Sequence, residues 1–297
     1  MDMDTKSKNR KAIFFAILAA ALYAISSPVS KILLNEIPAT MMAALLYLGA
    51  GIGMVIVRII QKQTGYIQKE QPLTRNEMPY TIGMVLLDIT APILLMIGLK
   101  MTTSANVSLL NNFEIVATSI IALFVFKEAI SKRLWLAIAL VTLASIILSV
   151  DDMSSFKFSS GSFLVLLACV CWGFENNCTR KMSAKDPLQI VVIKGFGSGA
   201  GSLAISFFIG ETTTDILFIS MALLLGFVAY GLSVFFYVYA QRELGAAKTS
   251  TYYAFSPFIG VMLSLMIFRE QPSVTFTIAL LIMAIGTYFT IIDSNCK

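Results

Sequence analysis

Long apolar runs alternate with short polar breaks along this chain, and within the runs no period-two alternation appears. Ten such runs lie near residues 12–34, 39–60, 79–99, 104–126, 133–150, 161–181, 187–209, 216–240, 246–268 and 274–292. Each is close to the roughly twenty residues that a helix needs to cross bilayer hydrocarbon. In lipid a backbone must satisfy its own hydrogen bonds, which leaves helices or a closed barrel. Continuous apolar runs exclude the barrel. The pattern predicts an all-α, polytopic membrane protein of ten transmembrane helices. The first run follows Lys6, Lys8, Arg10 and Lys11, as a signal peptide would. It is too long for one and leads to no small-residue cleavage site, so it counts as a span.

Composition agrees. The chain is 57% hydrophobic and 13% charged, against about a quarter charged for a soluble domain. It contains no histidine, which removes the commonest general base, metal ligand and partner of a nucleophile. Cys169, Cys171 and Cys178 share one apolar run at spacings unlike zinc-site pairs, and Cys296 lies at the tail; small packing residues are the expected role. No cofactor, no metal and no enzymatic activity is expected. A net charge of +5 would suggest nucleic acid in a soluble protein, but here the positions of the charges decide, and no nucleic-acid partner is expected.

Those positions are strongly biased. Of the 22 lysines and arginines, seventeen fall on one side of the predicted spans: the N-terminal four, Arg58, Lys62, Lys69, Arg75, Lys127, Lys132, Arg133, Arg180, Lys181, Lys185, Arg242, Lys248 and Lys297. Lys31, Lys100, Lys157 and Arg269 make four on the other, and Lys194 sits inside a span. The positive-inside rule then puts both termini in the cytoplasm of a multi-pass cell-membrane protein. The longest connection, near 61–78, is a polar cytoplasmic loop.

The two halves also resemble each other. At a constant offset of 142, residues 98–147 overlay the stretch from 240 through 286 and its neighbours to 289. Lys127-Glu128 then meets Arg269-Glu270, Phe113 meets Phe255 and Lys100 meets Arg242. At an offset of 149, Leu22-Tyr23-Ala24 meets Cys171-Trp172-Gly173, Lys31 meets Arg180 and Pro38 meets Pro187. The glycine runs at 49–53 and 197–201 superpose at an offset of 148, one residue shorter. Five spans is an odd number, so the second copy enters the membrane inverted. Inverted repeats are a recurrent design of secondary transporters. The glycine runs lie inside apolar spans, which favours close helix packing over a phosphate loop.

The segments GLKMTTSANV (98–107) with Phe126-Lys127-Glu128, and QRELGAAK (241–248) with Phe255-Ser256-Pro257 and Phe268-Arg269-Glu270, resemble the signature of the EamA family of the drug/metabolite transporter superfamily. The resemblance covers nearly the whole chain. It implies two five-helix repeats, at 12–150 and 160–292, between tails at 1–11 (cytoplasmic) and 293–297 and an extracytoplasmic linker at 151–159. It also implies a cavity lined chiefly by the first, third, fourth, sixth, eighth and ninth helices. The chain departs from the pattern in the fourth span, where Glu114-Ile115 stands in place of the usual proline while Pro257 is kept in the ninth. That puts the usual kink of the fourth helix in question and a carboxyl group at its position.

Charged groups at bilayer depth are costly and tend to face a cavity or a partner. Asp88 and Glu114 are each thirteen residues from the turn near Met101, roughly 20 Å at 1.5 Å per residue, near the midplane. They are expected either as a carboxylate pair in a transport cavity, carrying a proton or binding a cation, or as a helix-packing contact. Glu175 and Lys194 flank the turn near Lys185 at one level. They are expected as an ion pair locking two helices or as substrate ligands. Asn111 shares a face with Glu114 at three residues' spacing. Trp172 precedes Glu175 on one stripe, Asn176 follows it, and Tyr252, Tyr253 and Ser256 occupy the ninth span. Side-chain amides in lipid also glue helices together, so not all of these are expected to touch substrate.

Asp88, Asn111, Glu114, Trp172, Glu175, Asn176, Lys194, Tyr252, Tyr253 and Ser256 are thus the candidate substrate-binding set. The expected function is a secondary transporter, an exporter or exchanger. Its cargo would be a small polar or amphipathic metabolite such as an amino acid or amine, with protons as a candidate coupling ion. A membrane receptor or sensor, or a lipid-handling protein without transport, is the alternative. The sequence sets no substrate and no oligomeric state.

Overall fold

The computed structural model describes residues 2–64, 70–127, 130–152, 157–182, 185–244, 249 and 252–295. The described chain is helical apart from a short antiparallel pairing of Val150–Asp152 with Lys157–Phe158. The helices are α1 (Asp2–Ala24), α2 (Ser26–Leu33), α3 (Ala39–Gln63), α4 (Met78–Met101), α5 (Ser104–Leu110), α6 (Phe113–Phe126) and α7 (Lys132–Leu148). After the strand pairing come α8 (Ser160–Met182), α9 (Pro187–Phe208), α10 (Ile216–Leu225), a π-helical segment (Gly226–Leu232), α11 (Ser233–Leu244), α12 (Ser256–Phe268) and α13 (Val274–Asn295).

Among the described residues, eight stretches are long and apolar enough to cross a membrane: Arg10–Leu33, Ala39–Gln63, Arg75–Met101, Ser104–Val125, Ser160–Met182, Pro187–Phe208, Ile216–Ala240 and Val274–Ile292. The predicted fifth span is the 17-residue α7. The predicted ninth is represented by the 13-residue α12, and much of the stretch before it lies outside the described residues. Large apolar side chains point outward along these helices, with Phe208 91% exposed. A surface of that kind suits lipid rather than water.

Three predicted spans are interrupted, each for a local reason. Pro28 cannot donate to the carbonyl four residues back and its ring crowds it. The first span accordingly breaks between Ala24 and Ser26. The fourth breaks at Asn111 and Asn112 although no proline is present. There the Asn112 side-chain amide donates to the Leu109 carbonyl at 3.1 Å, and Cys169 Sγ lies 3.6 Å from the Leu110 carbonyl. Carbonyls freed by the break are therefore satisfied within the bundle. The eighth span widens into the π-helical turn at Gly226–Leu232.

In the core, α4 packs on α8 and α9, α3 on α9 and the π segment, α1 on α11 and α12, α7 on α13, and α5 on α12. Glycines allow the closest approaches. A Cβ at Gly226 would lie 2.0 Å from the Leu46 carbonyl oxygen, and one at Gly195 2.5 Å from Gly51 Cα. Overpacking typically costs about 1–3 kcal/mol. Gly226→Ala is expected to fall in this range, because backbone has to give way, and to lower the unfolding midpoint in detergent. An unchanged midpoint would mean that α3 and the π segment separate freely.

Polar ties close both ends of the bundle. At the end rich in lysine and arginine, Arg58 pairs with Asp186 at 3.2 Å and Lys185 with Glu77 at 3.6 Å. Asp186 also caps α9, accepting from Leu188 and Gln189 amides at 2.9 and 3.3 Å. Losing a cap of this kind costs about 1 kcal/mol, so Asp186→Ala is expected to lower the unfolding midpoint modestly; a neutral result would show the cap replaced by water. At the opposite end, Lys31 Nζ donates to the carbonyls of Leu99, Lys100 and Thr102 at 2.6, 3.2 and 2.8 Å. A cation there satisfies the last carbonyls of α4 and its negative dipole end. The Thr40 amide donates to Glu211 Oε2 at 2.9 Å on the same end.

Among the described residues, two other than glycine adopt positive φ. Lys127 ends α6 at φ 54°, ψ 34°, and Arg269 ends α12 at φ 53°, ψ 29°. Left-handed backbone is uncommon in residues with a side chain, and these two are the pair related by the offset of 142. Glu128, the other half of the first basic-acidic pair, lies outside the described residues.

Candidate functional site

The packing of α4 on α8 and α9 brings three charged side chains together. Lys194 Nζ on α9 lies 3.1 Å from Asp88 Oδ2 on α4 and 3.1 Å from Glu175 Oε1 on α8. Asp88 is fully buried and Glu175 is 2% exposed. A buried carboxylate needs both a countercharge and hydrogen bonds, and both acids have them. Tyr47 on α3 donates its hydroxyl to Asp88 Oδ1 at 3.0 Å. Thr179, one turn beyond Glu175, donates to Glu175 Oε1. Pro92 lies four residues after Asp88 within α4, so the Asp88 carbonyl loses its helical partner and the helix is loosened at the acid.

Glu114 sits on α6, in the first turn after the break at Asn111 and Asn112. It is half-buried and accepts from the Asn176 side-chain amide at 2.6 Å. Asn176 also reaches Thr118 Oγ1 at 3.2 Å, and Asn177 donates to the Thr118 and Gly173 carbonyls at 3.2 and 2.8 Å. The bonds to Glu114 and Thr118 hold α6 to α8, and the one to Gly173 lies within α8. The expected pairing of Asp88 with Glu114 does not form: Asp88 takes Tyr47 and Lys194, while Glu114 takes Asn176. Equal depth had suggested the pair, but α4 turns its acid toward α8 and α9 rather than α6.

Aromatic rings from several helices adjoin the acids. Tyr230 of the π segment packs on Tyr47 and Tyr23 with ring centroids 5.6 and 5.8 Å apart. Tyr253 lies 5.9 Å from Tyr23 and 5.0 Å from Tyr237. Ser26 donates to the Tyr230 hydroxyl at 3.2 Å, and Ser233 and Tyr253 hydroxyls are 3.5 Å apart. Trp172 is buried one turn before Glu175. Asn111 Oδ1 is buried with no hydrogen-bond partner. Ser256 donates to the Ala20 carbonyl at 2.8 Å, a packing tie to α1. Tyr252 is half-buried and lies outside the ring cluster among the described contacts.

Tyr23, Tyr47, Tyr230, Thr118 and Thr179 thus join the site without having been in the candidate set. A signal existed for two of them. Tyr23 occupies the place of Trp172 at the offset of 149, and extending the offset of 142 upstream sets Tyr230 against Asp88. A cavity of about 360 Å³ lies between α3, α9 and α11 at the basic end, lined among others by Met54, Arg58, Asp186, Val191 and Phe235. It does not include the charged triad, but Val191 is one turn before Lys194 on α9 and shares its face.

Comparison with known proteins gives matches over most of the chain. A family model described as the EamA-like transporter family matches residues 10–150 and again 159–292. An uncharacterized transporter of Methanothermobacter thermautotrophicus is 26% identical over 288 residues, covering 92% of this chain and 83% of the relative. The uncharacterized transporter YyaM of Bacillus subtilis is 23% identical over 224 residues, covering 72% of this chain and 73% of the relative. A crystal structure of another protein superposes with a TM-score of 0.64 at 14% identity over 98% of each chain, a likeness of fold.

Proposed function

The chain belongs to the EamA-like transporter family, a multi-pass membrane transporter, and from that premise we propose that it is a secondary transporter working by alternating access around the Asp88–Lys194–Glu175 centre. The observation that carries the reading is the triad itself: three charged groups from three helices, two of them sealed in the interior of the bundle. Ionisable groups at such depth mark substrate or ion pathways.

In this reading the chain has ten spans in two inverted repeats, 12–150 and 160–292, joined by a linker at 151–159 and flanked by tails at 1–11 and 293–297. Three facts support it. The family model matches twice, once per half. Lys127 and Arg269, equivalent under the offset of 142, share one left-handed cap. The helix pairings also exchange under the repeat: α4 on α8 answers α11 on α1, while α3 on α9 and α7 on α13 each answer themselves. Two such halves exchanging conformations would open the centre to one side and then the other. The charge bias supports a cell-membrane location with both termini cytoplasmic.

The cargo in this reading is a small polar or amphipathic metabolite such as an amino acid or amine, exported or exchanged, with protons as coupling ion. Asp88, Glu114, Glu175 and Lys194 supply charge, Asn111 and Asn176 supply amides, and Trp172, Tyr252 and Tyr253 supply rings, with Ser256 bracing α12. Purified protein in sealed liposomes, preloaded with unlabelled metabolites, should accumulate one labelled counterpart from a panel of amino acids, amines and nucleosides. No accumulation for any member, with or without a pH gradient, would defeat the reading.

A further inference from the structure

Resting on that transport reading, we propose that Asp88 and Glu175 form an ammonium-binding subsite whose resident occupant is Lys194 Nζ. The substrate class is then a primary amine or amino acid whose own ammonium displaces the lysine. The geometry points to this in four ways. An ammonium has three donors; Lys194 Nζ lies 3.1 Å from one oxygen of each acid, and Asp88 Oδ2 is buried without a hydrogen-bond partner. Asp88 is sealed and Glu175 nearly so, whereas Lys194 keeps 26% of its side-chain surface open. The lysine head therefore lies against both carboxylates, on the one member of the triad that is partly open. It does so as a compact charge on a flexible four-carbon stem, which can swing aside without moving backbone.

The acids, by contrast, are braced independently of the lysine. Tyr47 holds Asp88 Oδ1 and Thr179 holds Glu175, so the pair keeps its shape when Nζ leaves. Exchanging one ammonium for another leaves the charge at the two carboxylates unchanged, so neither acid is left uncompensated, and the displaced Nζ takes water or the cargo's own carboxylate as its partner. An anion or a neutral alcohol cannot make that exchange. Beside the acids, the Tyr47 hydroxyl donates to Asp88 and its ring packs on that of Tyr230. The 360 Å³ cavity at the basic end reaches Val191, one turn from Lys194 on the same face, and stops short of the triad.

A resident lysine lowers apparent affinity by the fraction of time it holds the pair; occupancy in nine molecules of ten makes a ligand about tenfold weaker. The test uses the full chain in detergent, with n-butylammonium as probe and n-butanol and butyrate as controls, read as a shift in unfolding midpoint. Butylammonium alone should stabilise the wild type saturably. Lys194→Ala should respond at about tenfold lower concentration, and the triple variant Asp88→Asn/Glu175→Gln/Lys194→Ala should lose the response. Should Lys194→Ala not fold, Lys194→Arg keeps a cation with a wider fork and should require more butylammonium than the wild type. Equal half-saturation in wild type and Lys194→Ala, equal responses in Lys194→Ala and the triple variant, or an unshifted Lys194→Arg would overturn the assignment. Counterflow separates the two readings. Metabolite flux without this lysine dependence removes the subsite and keeps the transporter. Lysine-dependent butylammonium binding with no flux of any panel member does the reverse.

Discussion

Replacing Lys194 by methionine is expected to lower stability by about 3–5 kcal/mol, the usual cost of removing one partner from a buried ion pair. The apolar stem is nearly conserved in this change, so packing contributes little and the charge most. What remains is Asp88 with no exposure and Glu175 with 2%, two carboxylates facing each other across the site of the lost ammonium. Tyr47 and Thr179 still donate to them, but neutral donors do not replace a countercharge in a medium of low dielectric. Adding Asp88→Asn to Lys194→Met removes half of that charge and should recover part of the loss; adding Glu175→Gln as well should recover most of the remainder. The measurement is the unfolding midpoint of the four proteins in one detergent. A single variant as stable as the wild type would mean that the acids are held as neutral groups, and the triad would then be a hydrogen-bonded packing contact.

The spans were largely legible and their interruptions were not. The run at 39–60 became Ala39–Gln63 and that at 187–209 became Pro187–Phe208, because lipid forces each apolar run to complete its own hydrogen bonds. Whether such a helix bends depends on who satisfies the carbonyls at the bend. Pro28 announces one break. The other, at Asn111 and Asn112, depends on Cys169 from α8 as well as on a local amide, and the π turn at Gly226–Leu232 carries no comparable local mark. Depth, counted from the turns, set Glu175 level with Lys194, and the structure brings these two within 3.1 Å. The same count set Asp88 level with Glu114, and those two take different partners. Counting residues gives height but not the direction a helix face points, and a lysine stem reaches across more than one level. The tyrosines were missed for a related reason. Tyr47 and Tyr230 sit in apolar runs where periodicity does not separate a ring turned to the core from one turned to lipid, and only the packing of α3 on the π segment makes them neighbours.

Glu114→Gln is expected to abolish uptake driven by a pH gradient while leaving exchange of substrate across the liposome membrane partly intact. With every group ionised, Asp88, Glu114 and Glu175 carry three negative charges against the single positive charge of Lys194. That ammonium is already shared by Asp88 and Glu175, and among the described residues no ion pair reaches Glu114. A mobile proton is then the available countercharge for this acid, and a group that gains and loses a proton on facing the two sides couples the gradient to the cargo. Glutamine keeps the oxygen that accepts from Asn176 at 2.6 Å and nearly the same volume, so α6 stays joined to α8 and the bundle should fold as before. What it removes is the titration. The check is a pair of assays on one preparation: counterflow at equal pH on both sides, and uptake with the pH stepped across the membrane. Retained counterflow with lost gradient response assigns the coupling to Glu114. A variant whose flux follows pH as the wild type does would move the proton site to the triad or remove proton coupling from the mechanism altogether.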